Sequence, residues 1–167
     1  MSGARSRGLV RLVSLVAAVM MAAACDDAQN ADKAVPFTRD SLDGHQFSLP
    51  RDGDGKVVAL HFWTGRSPGG ASQLSGLESL WDANRERGLL LLAVDVGQDR
   101  AAVAALVAGR RFSYPVVLDP GETLARAYGV TTLPVTVLID REGLVRARIG
   151  IDVPPAVLGA AIRTLTK

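Results

Sequence analysis

Thiols are almost absent from this sequence, because its 167 residues include a single cysteine, Cys25. A disulfide needs two cysteines, so the chain cannot form one within itself. Histidine is also scarce, and the two that are present, His45 and His61, are well separated. Together with a cysteine near the N-terminus they give no recognisable ligand set, which argues against a metal centre or a copper-chaperone site. We therefore predict neither a metal nor another cofactor.

A concentrated basic surface is missing as well. The chain carries 19 Lys and Arg against 17 Asp and Glu, and three of the arginines, Arg5, Arg7 and Arg11, lie close to the N-terminus. Without those three, 16 basic residues remain against 17 acidic ones, so the net charge becomes −1. Nucleic-acid binding needs clustered basic residues, and none are seen, so we expect no nucleic-acid partner.

Length and composition are those of one globular domain. Hydrophobic residues make up 48% of the chain and charged residues 22%, values that are not typical of disordered sequences. No internal repeat or low-complexity tract is present. A single core of ordinary size is therefore expected.

The first 24 residues have the pattern of a signal peptide. Arginines precede an apolar run from Leu12 to Ala24, which is shorter than the roughly twenty residues that span a bilayer. The run ends in Ala22-Ala-Ala-Cys25, which resembles a bacterial lipobox and predicts lipidation of Cys25. Plain cleavage after an Ala-x-Ala site is the alternative, since a lipobox favours Leu where Ala22 stands.

This N-terminus predicts a place in the bacterial cell envelope. A lipid on Cys25 would hold the protein at the periplasmic side of the inner membrane, and Asp26-Asp27 resembles the signal that retains lipoproteins there. Without the lipid, a soluble periplasmic protein is expected. Residues 25–35 are predicted to be a tether, and residues 36–167 the folded domain.

Apolar runs predict the strands. The stretch Val57–Trp63 and the stretch from Leu89 to Val94 are apolar enough for strands covered on both faces. Phe37-Thr38 and Gln46-Phe47-Ser48 flank an Asp43-Gly44 turn and predict an N-terminal β-hairpin. Three further strands are predicted at 114–118, 135–139 and 144–149, the last two joined by a tight turn at 140–143.

Helix-start signals predict four helices between and after the strands. Ser67-Pro68 and Asp119-Pro120 each combine an N-capping side chain with proline at the first helical position. Asp99 is predicted to begin one of the other two helices, and Asp152 with the Pro154-Pro155 pair to begin the last; glycines, Gly88 among them, are predicted to end three of the four. The side chains predicted to face the core are Leu74, Leu77, Trp81, Leu124, Tyr128, Val157, Ala161 and Leu165.

This order of elements resembles the thioredoxin fold, and in detail the TlpA/ResA-type membrane-anchored thiol–disulfide oxidoreductases. The resemblance extends over about residues 37–166. It is carried by Gly55-Lys-Val-Val-Ala-Leu-His-Phe-Trp63, Tyr114-Pro-Val-Val-Leu-Asp119, Tyr128-Gly-Val-Thr-Thr-Leu-Pro134 and Val137-Leu-Ile-Asp-Arg-Glu-Gly143. It predicts an α/β, thioredoxin-like fold: a mixed central sheet with helices on both faces and an N-terminal β-hairpin.

The catalytic positions of that family are changed in this sequence. Its nucleophilic cysteine falls on Ser67 and its resolving cysteine on Gly70. The acidic residue that such proteins often place below the resolving cysteine falls on Gln73, and an amide cannot exchange that proton near neutral pH. We therefore predict no catalytic residue at Ser67, Gly70 or Gln73. A peroxidase of the peroxiredoxin type is not expected either, because that chemistry needs a thiol.

Serine chemistry at Ser67 is a weak alternative. A serine hydroxyl needs a neighbouring base to act as a nucleophile. His61 lies six residues earlier within a predicted strand, well below the turn at about 3.3 Å per residue. We interpret His61 as a histidine of the core or sheet face.

Without the cysteines, the resemblance still predicts a surface that recognises other proteins. In the family, the residue before the proline of this bend pairs its backbone with an extended substrate segment, and the proline is cis; that residue is Leu133 here, with Thr132 before it and Pro134 after it. Exposed backbone N–H groups at the helix start and the charge of Arg66 would suit a carboxylate or a peptide; alternatively, Ser67 simply caps the helix and Arg66 is solvated. The predicted binding residues are Arg66, Ser67, Pro68, Gly69, Gly70, Thr132, Leu133 and Pro134.

The preferred hypothesis is a redox-inactive, membrane-anchored lipoprotein that binds an extracytoplasmic protein partner or client at this surface. Two alternatives stay open. One is a TlpA/ResA-like oxidoreductase or antioxidant-type enzyme that works with an external thiol. The other is a structural subunit of a cytochrome c maturation or respiratory assembly complex.

Overall fold

The described part of the chain is built around one mixed β-sheet. A computed structural model describes residues 32–66, 70–110 and 112–167. Its strands are β1 (Phe37–Asp40), β2 (Gln46–Leu49), β3 (Val57–Trp63), β4 (Leu89–Val96), β5 (Val116–Asp119), β6 (Val135–Ile139) and β7 (Val145–Gly150). Its helices are α1 (Gly70–Asn84), α2 (Arg100–Val107), α3 (Thr123–Ala127) and α4 (Pro155–Leu165), with 3₁₀ turns at Arg51–Gly53 and Arg85–Arg87.

The central sheet has five strands in the order β5-β4-β3-β6-β7. Strand β3 is parallel to β4, and β4 to β5, because helices connect them. Strands β6 and β7 are antiparallel neighbours on the other side of β3. This is the predicted mixed sheet, in a thioredoxin-like fold.

Apolar side chains form a core on each face of this sheet. One core joins the sheet to α1, α2 and α4, through residues such as Leu74, Val103 and Ile162. The other joins it to α3 and to the β1–β2 hairpin, through residues such as Leu124 and Phe37. Lys33–Lys167 is one compact unit by its internal contacts, and because it contains both cores it has what a domain needs to fold on its own.

The N-terminal hairpin was predicted correctly and has an additional role. Strands β1 and β2 pair antiparallel, and the loop between them reaches the edge of the central sheet. There Ser41 forms a bridge to Val117, and the Leu42 N–H donates to the Val116 carbonyl at 2.7 Å. The hairpin thus covers the outer edge of β5.

Two helix predictions were wrong in detail. The helix expected from Asp119-Pro120 begins at Thr123, because Asp119 ends β5 and a turn through Glu122 follows it. Asp119 still caps that helix, since its carboxylate accepts from the N–H groups of Leu124 and Ala125 at 3.1 and 2.9 Å.

The inward face of α4 was misplaced by about one residue. Val157 is 46% exposed, whereas Leu158 and Ile162 are buried. Ala161 and Leu165 pack against the core as expected. One apolar stripe of the helix includes Val157, and the other includes Leu158 and Ile162. Since Ala161 and Leu165 adjoin both stripes, their spacing could not show which of the two faces the sheet.

The N-terminal predictions fall mostly outside the described residues. The signal peptide, Cys25 and most of the tether belong to residues 1–31, which are not described. At the start of the described part, Lys33 bridges to Leu144, and the Ala34 N–H donates to the Gly143 carbonyl. Within the described ranges, no helix is long and apolar enough to span a bilayer.

Candidate functional site

The bend before β6 places a cis proline beside the end of β3. The Leu133–Pro134 peptide bond is cis, as the resemblance implied. Val135, the next residue, pairs with Phe62 of β3. A second cis bond, Leu49–Pro50, was not foreseen from the sequence.

Only part of the predicted binding surface can be located. Ser67, Pro68 and Gly69 lie outside the described residues, Gly70 is the first described residue of α1, and Gln73 lies in its first turn. Arg66 and Leu133 are described, and both line one groove of about 280 Å³. Thr132 is exposed and does not line the groove, and Pro134 lines a different cavity.

We call this groove the arginine groove. Its walls come from the segment after β3, the end of β4, α3 and the bend before β6. The lining residues are Thr64, Arg66, Val96, Glu122, Ala125, Arg126, Val130, Thr131 and Leu133.

Arg66 is held by two contacts at the mouth of the arginine groove. Its Nη2 donates to the Gly97 carbonyl oxygen at 2.6 Å and lies 3.8 Å from Glu122 Oε1. Arg126 also pairs with Glu122, at 3.6 Å. The exposed side chains of this cluster therefore carry two positive charges and one negative charge, while the charge of Arg66 also acts on the buried acid Asp95. Because all three side chains are about half or more exposed, a ligand can compete for them.

Glu122 adopts a backbone conformation that is unusual for its residue type. Its φ is +56°, the only positive φ found at a non-glycine position within the described ranges, and such a conformation has a free-energy cost for a side chain with a Cβ. Its carboxylate reaches both arginines from this position. The strained residue is therefore the one that organises the charges of the groove.

His61 is a core histidine, as expected, and lies on the face of the sheet that carries α1. Its side chain is 7% exposed, and Nδ1 lies 2.9 Å from the Thr136 hydroxyl oxygen. Burial lowers the pKa of His61 to about 4, so the imidazole is neutral at physiological pH. Nε2 has no hydrogen-bond partner within the described part of the chain.

Asp95 is a buried acid that was not identified from the sequence. It lies at the end of β4 beside Trp63 of β3, it is fully buried, and neither carboxylate oxygen has a partner among the described residues. Burial raises the pKa of Asp95 to about 6, against the opposing effects of the nearby backbone N–H groups of Gln98 and Gly65 and of the Arg66 charge. Extending the predicted strand beyond Val94 would have placed Asp95 on the same face as Ala93 and His61.

Comparison with known sequences identifies the family. The AhpC/TSA family model matches residues 31–148, most of the chain. The chain belongs to the AhpC/TSA family. Within it, this protein is a ResA-like, thioredoxin-fold member whose sequence contains a single cysteine, Cys25.

Two curated relatives illustrate the similarity. The thiol-disulfide oxidoreductase ResA of Halalkalibacterium halodurans is 32% identical over 116 residues, which cover 70% of this chain and 65% of that protein. The sporulation thiol-disulfide oxidoreductase A of Bacillus subtilis is 28% identical over 137 residues, covering 80% of this chain and 81% of the relative. The match thus spans just under two thirds of the first relative's length.

Solved structures share the fold. The crystal structure of StoA from Bacillus subtilis aligns with a TM-score of 0.63 and 25% identity, over 75% of this chain and 95% of that one. A thioredoxin-family thiol:disulfide interchange protein from Chlorobium tepidum aligns with a TM-score of 0.72 and 21% identity, over 83% and 98% of the two chains. The second similarity concerns the fold alone.

Within residues 32–66, 70–110 and 112–167, no group of three or more His, Cys, Asp or Glu side chains could hold a metal ion. The polar groups described above are instead an arginine–glutamate cluster, a buried acid and a neutral imidazole. Such groups can bind a chain and exchange protons, but none of them is a thiol.

Proposed function

We propose that this protein is a redox-inactive, membrane-anchored lipoprotein that binds an extended segment of another extracytoplasmic protein. The segment would lie in the arginine groove and pair with the backbone at Leu133. The observation that carries this proposal is an open groove lined by Leu133, just before the strand ladder of β6, in a chain whose single cysteine is Cys25.

The backbone at the bend is suited to such pairing. Strand pairing of β6 begins at Val135, so the residues just before it precede the ladder. An extended peptide could therefore add its own N–H and C=O groups at this point, as in other cases of strand addition. Leu133 is partly buried against the core, which fixes the position of the backbone it presents.

The charge of the arginine groove favours an acidic segment. Arg66 and Arg126 share Glu122 as their carboxylate partner in this cluster, and a carboxylate of the bound segment would complete the second pair. Arginine binds carboxylates through two parallel N–H donors, which also fixes their orientation.

The membrane attachment is part of the same proposal. The sequence Ala22-Ala-Ala-Cys25 supports lipidation of Cys25, and the preceding apolar run supports export. Replacement Cys25→Ala should release the protein from the membrane fraction, and mass spectrometry of the N-terminal peptide should detect the lipid. Unmodified Cys25 would overturn the anchor while leaving the groove proposal intact.

In-cell crosslinking tests the binding function. A photo-crosslinking amino acid at Thr131, which is exposed and lines the groove, should capture one specific protein. The same amino acid at Arg141, exposed in the β6–β7 turn, serves as the matched control and should not. Arg66→Ala and Leu133→Asp should each reduce capture at Thr131, whereas Arg141→Ala should not; equal capture from both positions would contradict the proposal.

Thiol–disulfide exchange with an external thiol is the second candidate. Membership of a family that includes ResA-type oxidoreductases supports it, and the buried acid Asp95 lies beside Trp63 at the end of β3. Insulin reduction by the unmodified protein in the presence of a small thiol, above the rate of the thiol alone, would favour this candidate over the first.

A further inference from the structure

A second cavity lies on the opposite side of the Leu133–Pro134 bend from the arginine groove. It has a volume of about 320 Å³ and lies between α1, the starts of β6 and α4, and the end of β7. Gly76, Leu77 and Leu80 form its α1 wall, and Ile149 and Leu158 lie across from them. We call it the His61 cavity, because His61 and Thr136 are the two residues with polar side chains in its described lining.

The size and lining of the His61 cavity suit a small organic molecule. Its volume is at the lower end of the range for ligand pockets, about 300–1,000 Å³. The lining includes no Asp, Glu, Lys or Arg among the described residues. A charged ligand would lose its hydration there without gaining an ionic partner, so the cavity favours an uncharged one.

His61, which lines this cavity, has one polar atom without a hydrogen-bond partner among the described residues. Its side chain is buried and its Nδ1 is paired with Thr136, yet Nε2 has no partner within the described part of the chain. A buried polar atom without a partner is rare in folded proteins. Burying Nε2 without a partner has a free-energy cost, and a ligand atom that hydrogen-bonds to Nε2 would remove it.

The tautomer of His61 determines what Nε2 needs. If Nδ1–H donates to Thr136, Nε2 is an acceptor; if the Thr136 hydroxyl donates to Nδ1, Nε2 carries the proton and is a donor. A hydroxyl group can both donate and accept a hydrogen bond, so it satisfies either tautomer. The low pKa of His61, about 4, keeps the imidazole neutral in both cases.

We propose that the His61 cavity binds a small, uncharged, mainly apolar molecule with one hydroxyl group, whose oxygen hydrogen-bonds to His61 Nε2. Phenols are the simplest compounds of this kind. This site is separate from the arginine groove, because Leu133 lines one and Pro134 lines the other. It therefore does not depend on the proposed peptide-binding function.

NMR titration of the Lys33–Lys167 unit with phenol and with toluene tests the proposal. The chain has only two histidines, so the imidazole signals of exposed His45 provide an internal control for those of His61. Phenol should shift the His61 signals saturably and leave the His45 signals unchanged. If the His61 signals do not shift at concentrations where phenol is soluble, the proposal is wrong.

Variants separate the hydrogen bond from apolar contact. His61→Phe with Thr136→Val removes both hydrogen-bonding partners, so the ratio of phenol affinity to toluene affinity should fall by about fivefold, the effect of one net hydrogen bond. Toluene has the same ring with a methyl group in place of the hydroxyl. An unchanged ratio would rule out the contact with His61.

Filling the cavity with a larger side chain provides a further test. It leaves the buried residues His61 and Thr136 unchanged. A Cβ at Gly76 would meet no atom within 4 Å, so Gly76→Leu can extend into the cavity without backbone strain. It should weaken the binding of both probes by at least about tenfold. Ser75→Leu, which adds the same side chain at the exposed neighbouring position, should leave binding unchanged; equal effects of the two variants would overturn the site.

Discussion

The Arg66 side chain lies against Gly97 at the mouth of the arginine groove. The Arg66 guanidinium donates to the Gly97 carbonyl, and it also occupies the space beside the Gly97 α-carbon. A Cβ at Gly97 would lie 2.1 Å from Arg66 Nη2 and 2.7 Å from Glu122 Oε1. Glycine at this position thus allows the arginine–glutamate pair to form.

Gly97→Ala should therefore destabilise the domain and displace Arg66. Gly97 has a φ of +81°, a conformation that costs an L-residue about 1 kcal/mol. Gly44→Ala is the matched control, because Gly44 has a φ of +90° and no atom near its potential Cβ. Chemical unfolding should show a larger loss for Gly97→Ala than for Gly44→Ala. Equal losses would mean that Arg66 moves aside without cost.

The pH dependence of stability should reveal two opposing buried groups. Burial lowers the pKa of His61 from 6.5 to about 4, so between these values the unfolded state binds the extra proton and stability rises with pH. Burial raises the pKa of Asp95 from 3.8 to about 6, so in nearly the same window the folded state keeps the proton and stability falls with pH. Each effect is about 3 kcal/mol, and the two nearly cancel.

Single substitutions should expose each effect. In Asp95→Asn the effect of His61 is no longer opposed by Asp95, so the free energy of unfolding should fall as pH is lowered from 6.5 to 4. In His61→Asn the effect of Asp95 is no longer opposed by His61, so the free energy of unfolding should fall as pH is raised from 4 to 6. Urea unfolding at several pH values measures both. Variants that both keep the profile of the unmodified protein would show that neither group titrates as described.

The two neighbouring apolar residues of α4 should respond differently to truncation. Leu158 is 9% exposed and Val157 is 46% exposed. Leu158→Ala should lower the free energy of unfolding by about 2 kcal/mol or more, and Val157→Ala by less than about 0.5 kcal/mol. Thermal unfolding of the two variants compares them directly. The reverse order would support the original sequence prediction for this helix.

Restoring the family cysteines should create redox activity. The double variant Ser67→Cys/Gly70→Cys recovers a Cys-x-x-Cys pair at the start of α1, where a helix N-terminus stabilises a thiolate. It should reduce insulin in the presence of a reductant at a rate above the background, whereas each single variant should not cycle through an internal disulfide. Equal activity of the unmodified protein would contradict a redox-inactive function.

The elements predicted best from the sequence are those in which local sequence preference and burial favour the same structure. Every residue of β3 is buried, so the apolar stretch Val57–Trp63 was recognised with its correct limits. Helix α2 begins after Asp99, whose side chain accepts from the Ala102 N–H at 2.8 Å, as its capping signal indicated. In these cases local sequence and tertiary packing favour the same structure.

The sequence was less informative where tertiary contacts determine the limits of an element or the shape of a site. Asp119 has a helix-cap pattern, yet β5 extends through it and the helix starts only after Glu122. Asp95 looks like the polar end of an apolar run, but β4 continues to Val96 and buries it. The cavity beside His61 depends on how α1, β7 and α4 meet, which no local pattern specifies.

The bridge between Ser41 and Val117 also limits how much of the β5 edge is open to another chain. A sheet edge with free N–H and C=O groups can pair with another chain and start aggregation. The hairpin loop covers the β5 edge, and the opposite edge strand, β7, carries Arg146 and Arg148, charges that disfavour such pairing. The small N-terminal hairpin is thus a safeguard against intermolecular strand pairing, and a chain shortened past it would expose β5 to its neighbours.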